Sequence, residues 1–225
     1  MPRVLMKWLR YGPSAWLIRF ADSIGDDAFF RCRSIVSELK RRPPAGLVEF
    51  VPSFTTILLE FDPRQTGVEQ SILPELLDRM NFGMLAKIST APIKEIEIRY
   101  DGPDLARVAE MNEMTPADVV ELHAAPIYRV YLLGFSPGFP YLGDLDRHLH
   151  TARLPSPRSK VRAGSVAIGG EHTGIYTVDS PGGWNVIGHT SLRIFDPGRG
   201  KTGAGEEDAF LLKPGDRVKF VPHAP

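Results

Sequence analysis

The ten residues from Gly134 to Gly143, Gly-Phe-Ser-Pro-Gly-Phe-Pro-Tyr-Leu-Gly, constrain this chain more than any other stretch. Three glycines and two prolines bend the backbone at fixed points while three aromatic rings are carried over the bend, which a plain surface turn does not need. A second run, Ala163 to Thr190, holds seven glycines, among them Gly169-Gly170 and the sequence Ser180-Pro181-Gly182-Gly183-Trp184. Glycine lets a backbone approach a ligand or a second backbone closely, and the N–H groups it leaves open can form an anion-binding concavity. Both runs read as loop chemistry, and the expectation is that they converge on one small-molecule site.

Around these runs the hydrophobic pattern predicts an α+β chain. Lys7 to Arg10 and Ala15 to Phe20 read as strands around a Tyr11-Gly12-Pro13-Ser14 turn. A helix follows, with Asp26 and Asp27 in its first turn, Lys40 to Arg42 in its last, and Pro43-Pro44 ending it; Phe29, Cys32, Val36 and Leu39 form its apolar stripe. Strands at Leu47 to Val51 and Thr55 to Phe61 and a helix over Val68 to Met80 complete an N-terminal α/β sandwich at residues 1–88. The pattern restarts near Ser89. A strand over Ile93 to Tyr100, a short helix from Asp104 to Glu110, and a helix opened by Thr115-Pro116-Ala117-Asp118 lead to a strand at Ile127 to Leu133. Short β segments follow at Ser165 to Ile168, Gly174 to Val178, Trp184 to Ile187, Ser191 to Phe195 and Arg217 to Val221, which predicts a closed or nearly closed β-barrel over residues 89–225.

Charge removes several function classes. Lys plus Arg and Asp plus Glu number 27 each, so no global field draws the chain to nucleic acid or an anionic membrane. No apolar run reaches the length of a spanning helix, and the opening Met1-Pro2-Arg3-Val4-Leu5-Met6-Lys7 is interrupted too soon for a signal peptide, so a cytoplasmic location is expected. The single cysteine, Cys32, excludes an internal disulfide and reads as a small buried hydrophobe.

Three motif matches fail on mechanical grounds. Gly134-Phe135-Ser136-Pro137-Gly138 fits Gly-x-Ser-x-Gly, but Pro137 has no N–H to lend an oxyanion hole and cannot continue into the required helix. Gly198-Arg199-Gly200-Lys201-Thr202-Gly203 imitates both a dinucleotide fingerprint and the end of a phosphate loop, yet lacks the following helix, strand and acid of the one and the first glycine of the other; it reads as a mobile polar loop. The six histidines show no ligand spacing, so no metal site is expected.

What remains is a set of loop residues. His172, beside Glu171, and His189 are the groups near the glycine pairs that titrate around neutral pH; each reads either as a proton relay or anion donor, or as a strand-end surface residue. Arg158 and Arg162, with Lys160 between them, form a basic segment able to fork onto a carboxylate or phosphate, or simply a solvated face. Phe135, Phe139, Tyr141 and Trp184 read as core or interface aromatics as readily as ligand stackers. The catalytic candidates are therefore His172, Arg158 and His189. The binding candidates are Phe135, Gly138, Phe139, Arg162, Ser165, Gly169, Gly170, Thr173, Ser180, Gly182, Gly183 and Trp184.

Tyr128-Arg129-Val130-Tyr131 before the first run, Ala163 to Ile168, Thr173-Gly174-Ile175-Tyr176, Ser180 to Trp184 and Ile187-Gly188 together resemble the B subunits of prokaryotic 5-oxoprolinase. That family also includes the sporulation kinase inhibitor and allophanate hydrolase subunit 1. The resemblance implies that the C-terminal barrel is cyclophilin-like. It implies a hydrolase acting with a related C subunit and an A subunit, with ATP, accompanied by magnesium, as co-substrate for opening 5-oxo-L-proline to L-glutamate. The family's usual residues are replaced at His172, Arg162, Thr177 and His189, and the Tyr100-Asp101-Gly102 segment is shorter than usual. Two other roles within the family are an allophanate or urea-amide hydrolysing system and inhibition of a sensor histidine kinase.

Overall fold

The computed structural model describes residues 6–64, 92–201 and 205–223. They belong to two compact units, residues 1–88 and 89–225. The helix expected at Val68 to Met80 lies outside the described residues. No helix among the described residues is long and apolar enough to cross a membrane.

In the first unit, β1 (Lys7–Arg10), β2 (Ala15–Arg19), β3 (Leu47–Pro52) and β4 (Thr56–Phe61) form an antiparallel sheet in the order β1-β2-β4-β3. Helix α1 (Asp26–Arg41) carries Asp26 and Asp27 in its first turn and Lys40 and Arg41 in its last, complementing the helix dipole at both ends. Its Ala28, Phe29, Ile35 and Leu39 are buried, and Ala28, Ile35 and Leu39 share a core with Ile18, Ile57, Leu59 and Phe61 of the sheet. Cys32 and Val36 sit half-buried at the margin of that stripe. Burial pushes the Cys32 thiol up to about 11, against a smaller downward pull from Arg33.

The second unit is a seven-stranded sheet curled on itself. Its strands are β5 (Ile93–Ile98), β6 (Ile127–Leu133), β7 (Pro140–Gly143), β9 (Ser165–Gly169), β10 (His172–Ile175), β12 (Asn185–His189) and β13 (Arg217–Pro222), in the order β12-β9-β10-β7-β6-β13-β5. Neighbours are antiparallel except β5 and β13, which run parallel. The two edge strands touch at one bridge, where Arg99 N–H donates to the His189 carbonyl (2.9 Å) and His189 N–H to the Arg99 carbonyl (2.8 Å). A separate ribbon, β8 (Arg158–Val161) with β11 (Ser180–Gly182), stands beside it. The architecture is thus α+β and rich in strand.

Two short helices pack together, α2 (Leu105–Met111) and α3 (Pro116–Ala124). Thr115 caps α3 with a complete capping box: Asp118 N–H donates to Thr115 Oγ1 (3.2 Å), and Thr115 N–H returns to Asp118 Oδ2 (2.8 Å). Val108 and Val119 deliver these helices to the core formed by Ile96, Val130, Ile168 and Phe220.

Several expectations are corrected. Ser191 to Phe195 forms no strand: Ser191, Leu192 and Arg193 are exposed, and only Phe195 finds a bridge, to Phe210, with stacked rings 5.3 Å apart. Part of the first glycine run is strand, because Pro140 to Gly143 pair with β6, and Tyr141 and Leu142 also with β10. The expected polar loop begins as a short helix, α4 (Pro197–Lys201), with Gly198 N–H donating to Asp196 Oδ1 (2.9 Å).

Candidate functional site

A cleft of about 650 Å³ opens beside the seam where the β5 and β12 edges meet. The segments Glu97 to Pro103 and Val186 to Ser191, hydrogen-bonded to each other, line one part of it, and residues of β8 another. Gly102 makes the closeness of the walls possible: its N–H donates to the Ile187 carbonyl (3.1 Å), and a Cβ there would drive into the Val186 and Ile187 backbone.

Of the residues singled out from the sequence, Arg158, Arg162, Ser165 and His189 line this cleft. Ser165 is buried on its floor, while the Arg162 and His189 side chains reach solvent. Arg99 and Lys160 join the two arginines, with Glu97 and Asp101 among them; Arg158 is paired with Asp104 (2.7 Å) and Lys160 with Asp179 (2.8 Å). Two histidines, His189 and His223, complete the polar lining, and His223 Nδ1 lies 2.6 Å from Glu97 Oε1. The cleft is therefore polar and lined by both signs of charge, with Arg99 and Arg162 exposed within it.

The two glycine runs meet, and side chains pack where they do. Phe139 is buried and stands edge-on to Tyr176 (5.3 Å between centroids) and Trp184 (5.4 Å), and Thr177 Oγ1–H donates to the Pro137 carbonyl (2.7 Å). Aromatic volume fills the space that the sequence reading assigned to a ligand. The cleft is shared between the second run and the 97–103 segment instead.

Other candidates take structural positions for the same reason. Gly169 lies flat under the Trp184 indole, where a Cβ would overlap the ring. Gly182 meets the Tyr176 hydroxyl in the same way, and the Gly183 carbonyl accepts Leu154 N–H (2.7 Å). Gly170 forms the turn between β9 and β10. Thr173 is fully buried and donates to the Ala167 carbonyl (3.1 Å). Ser180 stands on β11 with its Oγ buried and without a hydrogen-bond partner. Phe135 and Gly138 line a separate shallow depression with Phe210, and Phe135 is 64% exposed at a positive φ of 68°.

His172 is outside the cleft. It opens β10, half-buried, and burial holds its imidazole below the usual histidine range, with Glu171 pulling the other way and His150 and Arg153 adding to the depression.

The residue most clearly passed over is Asp104. It occupies the N-cap position of α2 yet makes no capping bond. Its buried carboxylate reaches outward instead: Oδ1 accepts from Arg158 Nη2 (2.7 Å) and Oδ2 from Val186 N–H (2.7 Å). The Gly102-Pro103-Asp104 spelling carried a signal, since an acid behind Gly-Pro announces a helix start, but the signal named the wrong partner.

Residues 6–204 match the family described as carboxyltransferase domain, subdomain C and D. The B subunit of 5-oxoprolinase from Bacillus subtilis (strain 168) is 35% identical over 224 residues, covering 93% of this chain and 90% of that protein. The protein of the same name from Escherichia coli O157:H7 is 52% identical over 131 residues, 57% of each chain. Among solved structures, TTHA0988 superposes with a TM-score of 0.77 at 38% identity, covering 94% of this chain. This chain spans 40% of that longer polypeptide.

Proposed function

Because the chain belongs to the carboxyltransferase-domain family of subdomains C and D, we propose that it is the B-type subunit of an ATP-dependent 5-oxoprolinase, whose ligand site is the seam cleft. In this reading the units at residues 1–88 and 89–225 are separate domains, and the curled sheet of the second is a cyclophilin-like barrel. The chain works in the cytoplasm with C and A subunits and is inactive without them.

The observation that carries the reading is the gathering of Arg158, Arg162, Ser165 and His189 from separate elements into one polar opening. A lactam resists water because its nitrogen lone pair is delocalised onto the oxygen. Phosphorylating that oxygen from ATP removes the protection, and negative charge grows at the transferred group. Guanidinium groups around the cleft stabilise such charge, and that of Arg158 is held in place by Asp104. Of the other candidates, His172 lies away from this opening, half-buried at the start of β10. Among the described residues no three His, Cys, Asp or Glu side chains gather to hold a metal ion, so no residue of this chain is assigned to the magnesium that accompanies ATP.

The test is ATP-dependent release of L-glutamate from 5-oxo-L-proline by the co-purified subunits. Arg162→Ala and His189→Ala are expected to lower kcat/KM by about tenfold to a hundredfold each. Unchanged kinetics in both would remove the cleft from the reaction. Inhibition of a histidine kinase by this chain alone, with no complex formed on co-expression, would replace the reading altogether.

A further inference from the structure

We propose that the first unit carries a homodimer surface: the face of its four-stranded sheet turned away from α1 docks on the same face of a second copy of this chain. The contact is an apolar row with a basic pair at one corner and an acidic pair at the corner diagonally opposite. The inference does not depend on the seam cleft.

Alternation along the strands sorts the sheet into two faces. Ile18, Ile57, Leu59 and Phe61 share the core with α1, so the residues between them point the other way. There the register sets Leu9 opposite Leu17, Leu17 opposite Leu58, and Leu58 opposite Val51. One apolar residue from each strand thus joins a single row about 14 Å long. None of the four belongs to the core beneath α1: Leu9 is 55% exposed, Val51 is 50% exposed, and Leu17 and Leu58 are half-buried between them. A row continuous across a whole sheet differs from leucines scattered over a surface, and covering it recovers free energy.

Charge says what covers it. Two residues along the strands to one side of the row, Lys7 is the cross-strand partner of Arg19; two residues to the other side, Glu60 is the partner of Glu49. All four are exposed. Like charges directly opposite one another destabilise a sheet, so each pair calls for the opposite charge from outside it. Arg19 also reaches the exposed Asp22 (3.4 Å), a solvated contact of little worth, and among the described residues Lys7, Glu49 and Glu60 have no ion-pair partner.

The basic pair stands on β1 and β2 and the acidic pair on β4 and β3, and the midpoint between them falls on the row, between Leu17 and Leu58. A two-fold axis through that midpoint, lying in the interface and perpendicular to the line joining the corners, sets each basic pair on the acidic pair of the other copy. The same axis crosses the two apolar rows at their centres. Such self-complementarity is what an isologous contact requires, whereas a partner surface of one sign would leave a corner unmatched. The face is smaller than the roughly 800 Å² per partner of a standard interface, so the dimer is expected to be weak, with a Kd of about 10–100 µM.

Sedimentation equilibrium of the full chain tests this, from about 1 to 300 µM at low ionic strength, with the expected Kd rising about tenfold in about 0.5 M salt as the charges are screened. Lys7→Glu with Arg19→Glu makes both corners acidic, and Glu49→Lys with Glu60→Lys makes both basic. Each double variant alone should stay monomeric over that range, and an equimolar mixture of the two should associate again, which also shows that both are folded. Leu9→Ser with Val51→Ser, at exposed positions, should weaken the wild-type dimer about tenfold. A wild type that is monomeric throughout, a dimer indifferent to salt, or charge variants that dimerise alone or fail to recombine while melting as the wild type does would overturn the surface. So would a monomeric wild type that loses binding to the C subunit on Leu9→Ser with Val51→Ser, since the face would then belong to that subunit.

Discussion

Lowering the pH should destabilise the second unit through one residue, His123. The imidazole is 0% exposed at the end of α3, stacked on Phe220 with 4.8 Å between centroids. Its hydrogen bonds define its tautomer. Thr173 uses its hydroxyl proton on the Ala167 carbonyl (3.1 Å), so His123 Nε2–H donates to Thr173 Oγ1 (2.8 Å), and the bare Nδ1 accepts the Tyr100 hydroxyl (2.8 Å). The chain of bonds is satisfied only by a neutral ring, and burial lowers the His123 pKa from 6.5 to about 3. A base whose folded pKa is depressed contributes stability that is fully present above its unfolded pKa, near 6.5, and is lost as pH falls toward 3. Between about pH 7.5 and pH 5 the folded ring stays neutral while the unfolded one takes up a proton, for a loss of about 2 kcal/mol. Urea unfolding checks this, with Trp8 and Trp16 replaced by Phe so that the buried Trp184 alone reports the second unit. His123→Gln, which does not titrate, supplies the control for every other group, including His172, whose depressed pKa acts in the same direction. The wild type should lose about 2 kcal/mol more than the variant over that interval. Parallel pH curves would refute the reasoning, because a buried neutral histidine cannot be pH-indifferent there.

Three further outcomes follow from local geometry. Gly169→Ala would force the Trp184 indole aside and should cost about 1–3 kcal/mol, seen as a lower melting temperature with altered Trp184 fluorescence; an unchanged melt would mean the indole is not packed as described. Thr115→Ala removes the hydroxyl that accepts at the start of α3 and should cost about 1 kcal/mol in urea unfolding, whereas Thr115→Ser should cost far less. Cys32, with its thiol pushed up to about 11, should hold roughly a hundredfold less thiolate at neutral pH than an unperturbed thiol and react correspondingly slowly with a disulfide reagent, while urea-unfolded chain reacts at the ordinary rate.

How much of this was legible in the chain depends on how local the cause was. The α1 termini, the Thr115 capping box and strands such as Ile127–Leu133 follow from spacings within a few residues, and the structure places them as read. The ribbon of β8 and β11 was illegible because its residues, Arg-Ser-Lys-Val and Ser-Pro-Gly, carry no strand pattern; they pair only because each finds the other across the fold. Ser191 to Phe195 failed in the opposite sense, showing the alternation of a strand with no edge beside it to pair with.

The site divides along the same line. Glycines were expected to serve a ligand, yet at Gly169 and Gly182 the absent Cβ makes room for the Trp184 and Tyr176 rings, so a glycine-dense run marked close packing there as much as an opening. Arg158, Arg162 and His189, which line the cleft, could be singled out because a basic segment and a lone histidine are visible as residue types, whereas their neighbours Glu97, Arg99 and Asp101 sit in an ordinary edge strand and its exit. Asp104 shows why the remainder could not be read. Its function as a support for Arg158 exists only once a chain reversal brings residues 54 apart in sequence to within 2.7 Å. A curled sheet whose edges meet at Arg99 and His189, and stay hydrogen-bonded through Gly102 and Asp104, brings polar groups distant in sequence into one place.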